Sequence, residues 1–366
     1  MKILYLITKS ELGGAQSHLY ELCNYFNKEN EVVVMSCPGG WLEEECNKMG
    51  VKFISGNYFT NSLSLVKLLK ALKEIKKVIK KEKPDIMHCH SSAAGFFGRL
   101  AVKNRIPTLY TAHGWGFNIG VPFFQKWVAI FLEKLVSKYC EKIICVSGFV
   151  KKLGLKYKIA ESKKFEVIYN GVEIESKVHK LKNDNKIKII FVGRLAEPKD
   201  PLVLLKAYQK LDDELKAKAE IFIVGDGPKK GELELYLEQN ELKGVRLSGG
   251  LPRGQVFDIM RESDLFVLIS KYEGLPISIL EAMSVGLPIV SSDVGGVKEI
   301  VDNEVNGFLL GDNDIEELKN KLEKLIKNKD LREKMGRASR EKVLEKFSLD
   351  KMLKETNNLY KKVLEK

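Results

Sequence analysis

Short, almost wholly apolar runs separated by amphipathic stretches recur along the chain. Ile3-Leu4-Tyr5-Leu6-Ile7, Ile189 to Val192, Ile221 to Val224, Asp264 to Ser270 and Pro288-Ile289-Val290 read as buried strands. Between them lie helical periodicities. Leu65, Leu68, Leu69, Leu72, Ile75 and Ile79 recur within Ser64 to Lys83, Ile277 to Val285 forms an apolar helix that Gly286 can close, and a last helix runs from about Leu349 to Lys366. Strands alternating with helices throughout predict an α/β fold of open parallel sheets covered by helices. A chain of 366 residues is long for one core and sufficient for two. The boundary is placed near Asn170-Gly171, giving domains 1–170 and 171–348, with a polar, lysine-rich stretch from Ser176 to Lys186 that has no apolar periodicity.

Candidate chemistry concentrates where predicted strands hand over to helices. Glu273-Gly274-Leu275-Pro276-Ile277-Ser278-Ile279-Leu280-Glu281 follows the strand ending at Ser270. Pro276 suits a first helical turn, so Glu273 falls in the loop and Glu281 about two turns on. Between them the helix-start amides form an anion site. Carboxylates accept hydrogen bonds and donate none, so a pair beside an anion hole suits phosphates flanked by hydroxyls, as in a nucleotide-sugar. Two solvated glutamates near a helix cap would show the same spacing. Upstream, Gly193-Arg194-Leu195 and Lys199 follow another strand, and an arginine fork with a lysine point charge suits a diphosphate. Gly225-Asp226-Gly227-Pro228 departs from the G-x-G-x-x-G spacing of a dinucleotide site.

Those segments, in order, carry a resemblance. Gly13-Gly14-Ala15, His113 in Thr111-Ala112-His113-Gly114, Asn170-Gly171-Val172, Gly193-Arg194-Leu195 with Lys199, Gly225 to Pro228, the Glu273/Glu281 pair, and Gly295-Gly296 with Glu299 make the whole chain resemble family 4 retaining glycosyltransferases. Many members carry Glu-Lys-Gly at the phosphate lysine; here Glu197-Pro198-Lys199-Asp200-Pro201 keeps the Arg194-to-Lys199 spacing. The resemblance implies a GT-B fold: two Rossmann-like domains facing across a cleft, the N-terminal one on the acceptor side, the C-terminal one binding the nucleotide-sugar, and helix 349–366 packing back on the first. It implies a retaining hexosyltransferase; no cofactor is expected, and a metal is not required if Arg194 and Lys199 neutralise the diphosphate. Glu281 would hold the ribose and Glu273 the donor sugar. Arg194, Lys199 and the amides of Gly274 and Leu275, with Gly193 close by, would stabilise the leaving diphosphate. Gly14 would add an amide when the cleft closes, and His113 would orient and stabilise the anomeric centre, with general base as a second role. Gly114-Trp115-Gly116-Phe117-Asn118 resembles members that build capsule, O-antigen or exopolysaccharide units on a polyprenyl diphosphate carrier. UDP with a hexose or N-acetylhexosamine is the expected donor. A UDP-sugar 2-epimerase on the same scaffold and a non-catalytic nucleotide-sugar-binding or membrane scaffold protein are the alternatives.

Charge sharpens the acceptor side. Residues 1–170 hold 26 Lys and Arg against 14 Asp and Glu, whereas residues 171–366 hold 35 of each, so the whole net charge of +12 lies in the first half. Its densest part is the helix at Ser64 to Lys83, a candidate for an anionic membrane surface or simply a core helix with a solvated lysine face. Val121 to Val136 is expected to be core for most of its length, with an exposed tip. No helix-turn-helix, zinc finger or aromatic-basic RNA pattern supports nucleic acid as partner. No apolar run reaches the ~20 residues of a membrane span and the N-terminus lacks a signal peptide pattern, so a cytoplasmic place, peripheral on the membrane, is expected. Six cysteines without Cys-x-x-Cys pairs read as reduced thiols. His88-Cys89-His90 is discounted as a metal site because residues in a strand alternate between faces. Asp312-Asn313-Asp314 is read not as a metal triplet but as the start of a helix, with Asp314 and Glu317 as a capping box.

Overall fold

In the computed structural model the apolar runs pair side by side as parallel strands. The structure describes residues 1–58, 65–118, 120–175, 186–311 and 314–365. Ser64, residues 176–185 of the lysine-rich stretch, and Asp312 and Asn313 of the acidic triplet lie outside the described residues. Two compact units emerge, Met1–Asn170 with Asp350–Lys366, and Gly171–Leu349.

The first unit runs β1 (Lys2–Leu6), α1 (Gly14–Phe26), β2 (Glu31–Ser36), α2 (Trp41–Lys48), β3 (Lys52–Ser55), α3 (Leu65–Glu82), β4 (Ile86–His90), α4 (Ser92–Val102), β5 (Thr108–Ala112), α5 (Phe123–Ser137), β6 (Lys142–Cys145), α6 (Gly148–Lys156) and β7 (Phe165–Val167). Its sheet has the order β3-β2-β1-β4-β5-β6-β7, all parallel. The order reverses at β1, whose neighbours are β2 and β4. Crevices outside the carboxyl ends of strands at such a reversal are where open α/β sheets bind ligands. Strand connections from β3 through β7 all move one way across the sheet, so right-handed crossovers put α3, α4, α5 and α6 on one face and α1 and α2 on the other. On the former face Gly98 of α4 lies so close to Cys89, Leu6 and Met87 that an added Cβ would meet the Cys89 sulfur at 2.5 Å.

The second unit follows with β8 (Ile187–Val192), α7 (Pro201–Gln209), α8 (Asp213–Ala217), β9 (Ala219–Val224), α9 (Lys230–Gln239), β10 (Val245–Gly249), α10 (Arg253–Glu262), β11 (Leu265–Leu268), α11 (Ile277–Ser284), β12 (Ile289–Ser292), α12 (Val297–Ile300), β13 (Gly307–Leu310), α13 (Ile315–Lys327) and α14 (Lys329–Lys346). Its parallel order is β10-β9-β8-β11-β12-β13, reversing at β8. Val172 donates to the Phe347 carbonyl and Leu349 to the Val172 carbonyl, which ties together the two places where the chain enters and leaves this unit. Asp314 caps α13 by accepting from the amides of Glu316 and Glu317, while the Glu317 carboxylate accepts from Gly311 rather than from the cap residue itself. Only half of the expected capping box is therefore reciprocal.

The last helix, α15 (Leu349–Leu364), packs into the first unit. Tyr360 is fully buried; its hydroxyl donates to Tyr5 at 3.1 Å and lies 2.6 Å from His88 Nδ1, and its ring stacks on Phe26.

One expectation is corrected here. Helix α5 is not mostly core: Ile130, Glu133, Val136 and Ser137 face inward, whereas Phe123, Phe124, Trp127 and Phe131 are 78, 77, 49 and 65% exposed. What anchors α5 is polar. Glu133 accepts from Arg99 of α4 at 2.7 Å, both side chains being buried, and the guanidinium lies 4.0 Å over the Tyr110 ring.

Candidate functional site

At the β8/β11 reversal two loops are zipped together. Asp200 donates to the Ile269 carbonyl and Lys271 to the Pro198 carbonyl, and Lys199 and Ser270 form an antiparallel bridge. This brings Lys199, which precedes α7, onto Glu273, which precedes α11, as an ion pair with both side chains mostly shielded from solvent. The loop is buttressed from behind. Lys229 donates to the Lys199 carbonyl at 3.1 Å and pairs with Glu197 at 2.9 Å, while Lys271 pairs with Glu197 at 3.0 Å. Hydrogen bonds from Lys229 and then Lys271 hold the Glu197 carboxyl below its ordinary range.

Glycines set the register of these loops. Gly295 has φ +59°, and a Cβ there would sit 1.8 Å from the Glu273 carbonyl oxygen, which accepts from the Gly296 amide at 3.3 Å. No larger residue lets that turn lie against Glu273. Gly225 plays the same part beside β8: a Cβ would meet the Gly193 carbonyl at 1.9 Å, and the Gly193 amide donates to Val224. The Gly225 to Pro228 turn is thus explained by close backbone packing rather than by a dinucleotide fingerprint.

Pro276 is the N-cap of α11, one residue earlier than a first-turn proline, and Gly286 at φ +87° follows its C-terminus. Orphan amides at that N-terminus carry a partial positive charge. Gly274 and Leu275 precede it, and Glu281 lies in its second turn, 3.3 Å from the Arg253 guanidinium at the start of α10. Arg194 is exposed at the rim of the same loop, near enough to Tyr272 to act on it electrostatically. Arg253 escaped the sequence reading; its signal was Pro252-Arg253-Gly254, another strand-to-helix turn after β10.

In the first unit, Gly14 opens α1 after the extended Gly13. His113 follows β5, part-buried, with its Nε2 at 3.1 Å from His90 Nδ1 and its ring 5.0 Å from that of His18. His18 Nδ1 lies 3.1 Å from the Asn170 amide oxygen, so Asn170 belongs to this cluster. His88 lies on the same face of β4 as His90, with ring centroids 4.2 Å apart. Residues two apart in a strand share a face, so alternation along β4 does not exclude a metal there, contrary to expectation. The nitrogens of His18, His90 and His113 come within 4.8 Å of one another, but hydrogen bonds already join His90 to His113 and His18 to Asn170. Burial keeps these rings neutral: the pKa of His18 is lowered to about 4, and those of His88, His90 and His113 fall well below the usual value, desolvation first and neighbouring histidines second. Trp115 of the Gly114 to Asn118 segment is buried and donates to the Val150 carbonyl. All six cysteines are free thiols.

Two family profiles divide the chain between them. The profile described as Glycosyltransferase Family 4 matches residues 12–176, and that described as Glycosyl transferases group 1 matches residues 172–342. The UDP-Gal:alpha-D-GlcNAc-diphosphoundecaprenol alpha-1,3-galactosyltransferase of Escherichia coli is 34% identical over 319 residues, covering 82% of this chain and 81% of that protein. The chain belongs to the family 4 glycosyltransferases. The O-antigen biosynthesis glycosyltransferase WbnH of Escherichia coli is 31% identical, covering 94% of this chain and 96% of that one. Among solved structures, Anabaena HepE, crystallised with UDP and glucose, shares the fold with a TM-score of 0.85 at 19% identity, covering 99% of both chains. This family 4 chain is therefore a glycosyltransferase of GT-B fold, and these relatives lend no support to the epimerase alternative. No helix among the described residues is long and apolar enough to cross a membrane.

Proposed function

We propose that this glycosyltransferase moves a hexose or N-acetylhexosamine from a UDP-sugar to a glycan on a polyprenyl diphosphate, with retention of anomeric configuration and without a metal, at the inner face of the membrane. The 34% identical Escherichia coli relative is named for a UDP-galactose donor and a diphosphoundecaprenol-linked acceptor, which supports that choice of substrates. One observation carries the donor assignment: Lys199 and Glu273, from two loops, converge just before α11, with Glu281 in the second turn of that helix.

Each group then has a task that its chemistry suits. When the diphosphate arrives, Lys199 exchanges part of its contact with Glu273 for phosphate oxygens, and Arg194 swings in from the rim beside it. Together with the amides at Gly274, Leu275 and the first turn of α11 they offset the charge that builds on the leaving group, a role a divalent cation would otherwise fill. Glu273, relieved of part of its ion pair, accepts from hydroxyls of the donor sugar. Glu281, held by Arg253, accepts from the ribose hydroxyls. Gly193 leaves room beside the Lys199 side chain, which passes within 3.6 Å of where its Cβ would be. Because its ring is neutral, His113 orients the sugar through a hydrogen bond rather than by imidazolium charge; Gly14 supplies an amide from the start of α1. Without a carboxylate assigned as covalent nucleophile, front-face attack with the leaving phosphate as base accounts for retention.

The experiment is an assay of UDP-galactose, UDP-glucose and UDP-N-acetylglucosamine with a short-chain prenyl diphosphate-linked sugar, followed by NMR of the product's anomeric proton. Transfer with an α linkage supports the proposal. Hydrolysis or epimerisation alone, or a β product, contradicts it.

A further inference from the structure

We propose that the outward face of α5 is a membrane-inserting ridge, which docks the first unit on an anionic lipid bilayer with Phe123, Phe124, Trp127 and Phe131 buried at the headgroup boundary. The proposal rests on the reading of a lipid-linked acceptor and names the surface that meets its bilayer. Four large aromatic side chains within nine residues stay largely exposed, a density that an ordinary solvated helix does not show. At 3.6 residues per turn, Phe123, Lys134, Trp127, Lys138, Phe131, Phe124 and Leu135 fall within about a third of the helix circumference. The ridge is therefore aromatic at the N-terminal end of α5 and gains lysines towards the C-terminal end.

Charge identifies the occupant. The only acid of α5, Glu133, is turned inward onto Arg99, so no carboxylate from this helix faces out. Helix α4 packs between α3 and α5, and all three lie on one face of the sheet. The solvent side of α3 carries Lys67, Lys70, Lys73, Lys76, Lys77, Lys80 and Lys81, all exposed, together with exposed Val66 and Leu69. A second copy of this chain would bring the same lysines against themselves, whereas an anionic bilayer complements them. Tryptophan and phenylalanine on one side with lysines alongside match the polar–apolar gradient of a headgroup region.

The test uses the full chain in vesicle flotation, with vesicles of equal parts phosphatidylglycerol and phosphatidylcholine and, separately, of phosphatidylcholine alone. Expected is flotation on the anionic vesicles, weakened by salt, a blue shift of tryptophan emission that Trp127→Phe removes, and at least a tenfold loss of partitioning in Phe124→Ser/Phe131→Ser. That variant should keep its melting temperature and its turnover of a water-soluble short-chain acceptor, since both side chains are exposed and neither is among the groups assigned to the donor. Absence of flotation by the parent chain, or flotation unchanged in the variant, overturns the ridge, as does a parent that forms a dimer the variant abolishes while both float equally. Turnover of the soluble acceptor without flotation leaves the transferase reading standing and removes the ridge; flotation without turnover of any acceptor does the reverse.

Discussion

Histidines at the strand ends of the first unit and ion pairs at the strand ends of the second stand at equivalent places in two sheets, each beside the strand where the order reverses. In the first, polar groups are desolvated, uncharged and bonded to one another: His18 to Asn170, His90 to His113, His88 to Thr111 and to Tyr360. In the second they are charged, come from loops, and keep some exposure. A neutral network can only orient a ligand; a charged one can exchange its internal partner for a ligand of the same sign. The second arrangement suits a diphosphate that arrives and leaves, the first a fixed hydrogen-bonding wall.

Substitutions at the charged pair should have the largest effect. Glu273→Ala and Lys199→Ala are each expected to lower kcat on the order of 10²- to 10³-fold, the range for removing one group that stabilises transition-state charge. The double variant should fall well short of the product of the two, because the groups act as a pair; initial rates at saturating donor check this. Breaking the buried Arg99–Glu133 pair by Glu133→Ala should destabilise by roughly 3–5 kcal/mol in urea unfolding, since it strands an interior guanidinium. Removing Glu281 from its half-open pair with Arg253 should cost stability no more than about 1 kcal/mol while raising the KM for donor about tenfold.

Acid should separate the two regions. A histidine whose folded pKa is depressed binds its proton more readily in the unfolded chain, so stability is intact above about pH 6.5 and is lost as pH falls towards the folded value. For His18, lowered to about 4, the loss reaches about 3 kcal/mol at pH 4. Hydrogen exchange by region should show β4, β5 and α1 losing protection between pH 6.5 and 4.5 before β8 and β11. Equal loss in both would contradict the neutral cluster. Gly295→Ala, strained at φ +59° and crowding the Glu273 carbonyl, should cost about 1–3 kcal/mol of stability and shift kcat more than KM.

Much of this was legible in the chain. Strand-to-helix turns with glycine, a cation or a carboxylate, in a fixed order, marked the second unit because each such turn is local: residues a few positions apart are fixed by one loop. The pairing of Lys199 with Glu273 was not legible, for it depends on β11 lying beside β8, a nonlocal choice. The histidine cluster was half visible. His113, Asn170 and His90 each stand in a stretch that draws attention by itself, whereas their meeting, and the place of His18 among them, depends on separate parts of the chain coming together. The outward face of α5 is not legible from its apolar residues alone: Glu133 pairs inward with buried Arg99, a nonlocal contact, and this leaves the aromatics facing out.

The most direct test of the central claim is a crystal structure of the chain with UDP bound. The account predicts the pyrophosphate at the N-terminus of α11, in contact with Lys199 and the amides after Glu273, and the ribose hydroxyls on Glu281. A nucleotide bound away from those three residues, or a Lys199–Glu273 pair that does not respond to it, would contradict it.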